Sequence, residues 1–157
     1  MMMLKYCSFV MIGVLMMLGS FTSSVEAVST EQLSIGGISF GDTEEYVKSI
    51  YGKPNDLKKM KPGPIENGVV YTYGNSFKIT FSNGRVFGVA TSANNGLGTS
   101  DGVFVGMNED AMYKVYGELN SSKNGTFFYK EDGRNYRGRR FKVDDGVIEE
   151  ISLYTQP

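Results

Sequence analysis

The chain has 157 residues, room for one compact domain or two small halves sharing a core, with 41% hydrophobic residues and a formal net charge of −1. Such a balance points to neither nucleic acid nor an acidic surface as partner, and the absence of histidine with a single cysteine argues against His-based catalysis and structural zinc. The 10 Phe, 10 Tyr and 20 Gly against 4 Pro favour short strands joined by tight turns.

At the N-terminus, Lys5 supplies a positive start, Ser8 to Leu18 an apolar run and Val25-Glu26-Ala27 a small-residue cleavage site. Residues 1–27 therefore read as a signal peptide, because the apolar run is shorter than the roughly 20 residues of a membrane-spanning helix. Cys7 precedes the run and does not form a lipid-acceptor motif. Cleavage removes Cys7, Lys5 and Glu26, so the mature chain keeps its net charge and has no disulfide. The expectation is an exported protein, secreted or periplasmic, with no membrane span after cleavage.

The segment from Gly37 to Gly52 returns at a constant offset as Gly102 to Gly117: Gly41, Glu44, Tyr51 and Gly52 meet Gly106, Glu109, Tyr116 and Gly117. A duplication of this kind divides the mature chain into residues 28–95 and 96–157. In the first half, Asp42 or Thr43 caps a helix whose apolar stripe is Tyr46, Val47, Ile50 and Tyr51, and Gly52 with Pro54 ends it. A polar loop over Lys53 to Asn67 follows, then strands at Val69 to Tyr73, Phe77 to Phe81 and Val86 to Thr91.

The second half repeats the order. Asn108 starts a helix with Ala111, Met112, Val115 and Tyr116 on its buried stripe, and strands follow at Thr126 to Lys130, Arg139 to Val143 and Val147 to Tyr154. The fold expected is α+β: two tandem helix-plus-antiparallel-meander repeats forming a layered sheet with helices on one face. Alternation turns Phe141, Val143, Ile151 and Leu153 inward and leaves Arg140, Lys142, Ser152 and Tyr154 on the open face.

Arg134-Asn135-Tyr136-Arg137-Gly138-Arg139-Arg140 is the densest charge feature. Arginines around a tyrosine suit bidentate phosphate contacts and stacking, while Glu131, Asp132, Asp144 and Asp145 offer local ion pairs instead. No enzyme is expected: adjacent carboxylates such as Asp144/Asp145 and Glu149/Glu150 point to opposite faces of a strand, so neither pair converges on one reacting atom. No metal or other cofactor is expected either, two carboxylates being too few for calcium. The sequons at Asn120 and Asn124 matter only in a eukaryotic secretory route.

The residues Phe40-Gly41-Asp42-Thr43 with Val47, Ile50 and Gly52, and Val105-Gly106-Met107-Asn108 with Met112, Val115 and Gly117, resemble the tandem units of the β-lactamase inhibitor protein family. They are similar also to the single unit of the SmpA/OmlA envelope lipoproteins. Tyr136-Arg137-Gly138 and Asp145-Gly146-Val147 extend the likeness to the second repeat. It implies a concave, aromatic sheet surface that grips a target protein, although tryptophan and the disulfides of that family are missing here.

The functional expectation is a non-enzymatic protein-binding module, an inhibitor or an envelope-assembly accessory, whose partner is another extracytoplasmic protein. The contact residues expected are Tyr136, Arg137, Arg139, Arg140, Lys142, Ser152 and Tyr154, with Tyr71 and Tyr73 as further candidates. The alternative is a binder of anionic envelope polymers or lipid headgroups through the Arg-rich hairpin. Nucleic acid is not an expected partner.

Overall fold

The structure, a computed structural model, describes residues 33–155. The expected signal peptide, residues 1–27, lies outside the described residues. The described residues open with a small hairpin, β1 (Ser34–Ile35) and β2 (Ile38–Ser39), and continue into α1 (Glu44–Tyr51). Four strands follow: β3 (Asp56–Lys59), β4 (Val69–Tyr73), β5 (Phe77–Ser82) and β6 (Arg85–Thr91). A second helix, α2 (Asp110–Tyr116), precedes β7 (Ser121–Lys123), β8 (Thr126–Glu131), β9 (Arg134–Asp144) and β10 (Val147–Thr155).

Strands β3 to β10 make one antiparallel sheet of eight strands in the order β3-β4-β5-β6-β10-β9-β8-β7. This corrects the α+β expectation of tandem helix-plus-meander repeats. The helices are only 8 and 7 residues long, and the molecule is mostly one continuous antiparallel sheet. The physical reason lies at the centre, where β6 and β10 pair through Ala90 with Ser152 and Val89 with Leu153, so the ladder runs unbroken from one edge strand to the other.

Both helices and the β1–β2 hairpin lie on one face. Val47 of α1 and Met112 of α2 are fully buried, and Tyr51 and Tyr116 extend the same contacts one turn later. Tyr51 packs on Phe77 with ring centroids 5.1 Å apart, and Tyr116 packs on Tyr129 at 5.4 Å. Of the rest of each expected apolar stripe, Tyr46, Ile50 and Val115 are exposed, while Ala111 is partly buried against the core. A helix of two turns meets a flat sheet along a line, so one i, i+4 pair is covered and most of its neighbours are not.

The helix starts are locally encoded. The Thr43 hydroxyl accepts the Tyr46 N–H at 3.2 Å, and Asn108 Oδ1 accepts the Asp110 N–H at 2.9 Å, just ahead of Glu109, whose backbone is already helical. Strand β3 lies inside the stretch expected to be a polar loop, and all four of its residues are exposed. As an edge strand with one neighbour and no covering layer it has no alternation to display.

Candidate functional site

The face opposite the helices is set by register. Pairing runs from Lys78 to Ala90, from Ala90 to Ser152, from Ser152 to Arg140 and from Arg140 to Phe128, so these five residues form one row across β5, β6, β10, β9 and β8. The adjoining row contains Tyr154, paired with Gly138, which is paired in turn with Lys130. Among the described residues no helix or strand covers this face.

At its centre the Arg140 guanidinium donates to the Ser152 hydroxyl at 3.0 Å and to Glu150 at 3.3 Å. Tyr154 meets Phe128 edge-on, with centroids 5.7 Å apart and planes at 89°, a favoured aromatic geometry. Burial raises the Tyr154 phenol above its usual range, and the nearby Arg140 charge partly opposes that rise. Ser152, bracketed by these long side chains, is only 3% exposed, so it supports the surface from below. Lys142 donates to Glu149 at 2.6 Å, and that bond raises its pKa.

Of the other candidate residues, Tyr136 falls on the open-face parity of β9, one place before Arg137, and the rest lie on the helix side. Tyr136 stands 51% exposed on β9. Arg137 turns to the helix side, where its Nη2 donates to Glu131 at 2.6 Å, its Nε donates to the other oxygen of that carboxylate, and its guanidinium sits 4.7 Å over the Phe40 ring. Glu131 is 2% exposed, and its hydrogen bonds raise the Arg137 pKa. Arg139 is fully buried, 3.6 Å from Asp101 and 4.7 Å from the Tyr116 ring, with burial lowering its pKa.

Tyr71 and Tyr73 also face the helices. Tyr71 is buried against Phe81 and donates its hydroxyl to Glu44, and Tyr73 packs between Tyr51 and Phe77. The arrangement therefore brings Arg140, Lys142, Ser152 and Tyr154 together on the open face, and places Arg137, Arg139, Tyr71 and Tyr73 on the other. Sequence reasoning passed over Phe128 and Lys78. The strand alternation that turns Phe127 and Tyr129 inward leaves Phe128 outward, which is the signal that could have found it.

A cleft of about 640 Å³ lies in the β3–β4 connection, with Met60, Ile65 and Val69 beside Lys59 and Lys61. Its walls are that connection and the adjoining ends of the two strands. Among the described residues no group of three or more His, Cys, Asp or Glu side chains is placed to hold a metal ion, and no helix is long and apolar enough to cross a membrane.

The open, helix-backed antiparallel sheet defines a fold shared with longer proteins. An extracellular protein containing an SCP domain from Bacillus anthracis superposes with a TM-score of 0.53 at 9% identity, over 90% of this chain and 50% of that one. A cysteine-rich secretory protein from Staphylococcus aureus superposes with a TM-score of 0.52 at 10% identity, over 73% of this chain and 42% of that one. The chain thus spans half or less of these proteins, and the likeness is one of fold.

No protein-family model matches the chain, and no curated protein matches it in sequence. The expected kinship with the β-lactamase inhibitor proteins and the SmpA/OmlA lipoproteins is corrected by these neighbours. The motif residues that suggested it, Gly41, Gly52, Gly106 and Gly117, all adopt positive φ and serve the bends beside the helices. Short helix-boundary motifs of that sort arise wherever a short helix is joined to a sheet by tight bends.

Proposed function

We propose that the protein is an exported, non-enzymatic binding module that holds another extracytoplasmic protein on the open face of its sheet. The observation that carries this reading is the Phe128–Tyr154 pair beside Arg140, aromatic and guanidinium groups in mid-sheet with no layer over them among the described residues. The fold supports it, because the matched portions of the two neighbours belong to larger proteins described as extracellular and secretory. The Arg-rich strand lends less support to anionic polymers as ligands. Arg134 and Arg137 pair with Glu131, Arg139 with Asp101 and Arg140 with Glu150.

The test uses the chain from Val28 as bait for envelope and secreted fractions, at low and high salt, beside an Arg140→Ala/Tyr154→Ala variant checked for unchanged thermal unfolding. Capture of a protein that resists salt and is lost with the variant supports the reading. Recovery of an anionic polymer alone, released by salt over the Debye range, replaces it with the polymer reading.

A further inference from the structure

We propose that the segment held on the open face is an extended, acidic stretch of the partner protein with an apolar centre. The proposal rests on the reading of this face as a binding surface and adds the chemistry of the ligand.

Charge is unevenly shared between the two sides of the sheet. Although the chain as a whole carries −1, Lys58, Lys78, Lys123, Lys130, Arg140 and Lys142 fall on open-face positions of the ladder, against Asp56, Asp144 and Glu150, with Glu149 reaching Lys142 from the bulge beside Glu150. Glu149 and Glu150 engage Lys142 and Arg140. Lys78 and Lys130 have no carboxylate within salt-bridge distance among the described residues. A partner carboxylate meets there a positive charge that is not already neutralised.

These two lysines stand on either side of Tyr154, and Lys130 shares β8 with Phe128. From β5 to β8 the order passes through β6, β10 and β9, and four steps of about 4.8 Å give a span of about 19 Å. An extended chain advancing about 3.3 Å per residue covers that distance in roughly six residues. Between the lysines, Gly138 pairs with Tyr154 on one side, and the Val89–Leu153 pairing sets Gly88 beside Tyr154 on the other. Gly138 is buried and its Cβ direction is filled by the Tyr129 carbonyl, but Gly88 raises no side chain, which leaves beside the Tyr154 ring a shallow trough that an apolar side chain can enter. Carboxylates near both ends and an apolar residue between them match this surface. A uniformly charged polymer has no group for the trough.

The test is nuclear magnetic resonance titration of the labelled chain from Val28 with synthetic peptides of about eight residues, up to about 1 mM. One peptide carries Asp and Glu at both ends and Leu-Phe in the middle, a second has Ser in place of Leu-Phe, and dextran sulfate stands for a polyanion. The expected result is shifts centred on Lys78, Phe128, Lys130 and Tyr154 with the first peptide. Binding should weaken about tenfold with the serine peptide and again with Lys78→Glu/Lys130→Glu, but not with Lys114→Glu on the opposite side.

Equal binding of the two peptides, dextran sulfate acting at the same residues as strongly as the first peptide, or no binding overturns the proposal. If it falls while the captured protein is still lost with Arg140→Ala/Tyr154→Ala, the binding face stands and only the acidic chemistry is wrong. If the capture fails as well, both readings fall.

Discussion

The Arg139 guanidinium lies 4.7 Å from the centre of the Tyr116 ring and 3.6 Å from an Asp101 carboxylate oxygen, tying β9 to α2 and to the loop before it at the edge of the core. Tyr116 completes the knot by donating its hydroxyl to Thr99 at 2.8 Å or to Asp101 at 3.1 Å. A fully buried guanidinium is costly to desolvate, so the knot matters most when one member is removed.

Asp101→Ala should therefore destabilise the protein by about 3 kcal/mol, since it leaves the Arg139 charge in the core without its carboxylate. Arg139→Met, which removes the charge and keeps much of the volume, should cost far less or nothing. Urea unfolding of both variants checks the ordering. An Asp101 variant as stable as wild type would show that this ion pair contributes little.

Gly138 should not tolerate alanine. A Cβ there would run into the Tyr129 carbonyl oxygen and lie 2.9 Å from the Lys130 Cα, at the bulge where the β8–β9 register shifts. The obstacle is backbone, which cannot swing aside as a side chain does. Gly138→Ala should cost about 3 kcal/mol, the upper part of the range for overpacking, with loss of amide protection concentrated in β8 and β9.

The helix ends allow a cleaner measurement of backbone preference. Gly52 and Gly117 close α1 and α2 at φ 73, ψ −153 and φ 68, ψ −146, and a Cβ at either would meet nothing within 4 Å. The cost of Gly52→Ala or Gly117→Ala is thus conformational, about 1–3 kcal/mol each and similar at both sites. Thermal unfolding of the two variants tests the equality.

Alkali should unfold the protein through its tyrosines. Burial pushes the Tyr116 phenol from 10.0 up to about 12 and also raises Tyr129. A raised folded-state value means the unfolded chain ionises first. The stability these groups contribute is complete below about pH 10 and is lost as pH rises towards the folded value of about 12. For Tyr116 the loss is on the order of 2–3 kcal/mol. Tyr116→Phe should be weaker by about 1 kcal/mol at neutral pH, through its lost hydrogen bonds, and flatter across the alkaline range. Melting temperatures measured from neutral to alkaline pH check both.

Where a strand has one buried face, the sequence displays it. Phe77, Ile79 and Phe81, and likewise Phe141, Ile151 and Leu153, alternate as read and are all buried. The same alternation puts Arg139 inward beside Phe141, a position that charge alone hides, because its partner Asp101 comes from a distant loop. Edge strands β3 and β7 were illegible for the opposite reason, being exposed throughout. Arg134 to Gly138 read as the connection of a hairpin between the expected strands Thr126 to Lys130 and Arg139 to Val143, yet it forms the first part of the 11-residue β9, with Glu131 accepting two of its arginines. On the open face Arg140 and Tyr154 could be read from their strands, whereas the juxtaposition with Lys78 depends on the β6–β10 pairing, which no local pattern encodes.

That central pairing also bears on how the chain folds. β4, β5 and β6 follow one another through short turns, as do β8, β9 and β10, so most of the ladder forms between residues close in sequence. Ala90 and Ser152 meet only after everything from 92 to 146 has been gathered in. Such distant contacts carry the larger loop-closure entropy and are expected late on the folding path. Substitutions such as Val89→Ala or Leu153→Ala should then speed unfolding more than they slow refolding, while Ile79→Ala should act more on the refolding arm of the chevron.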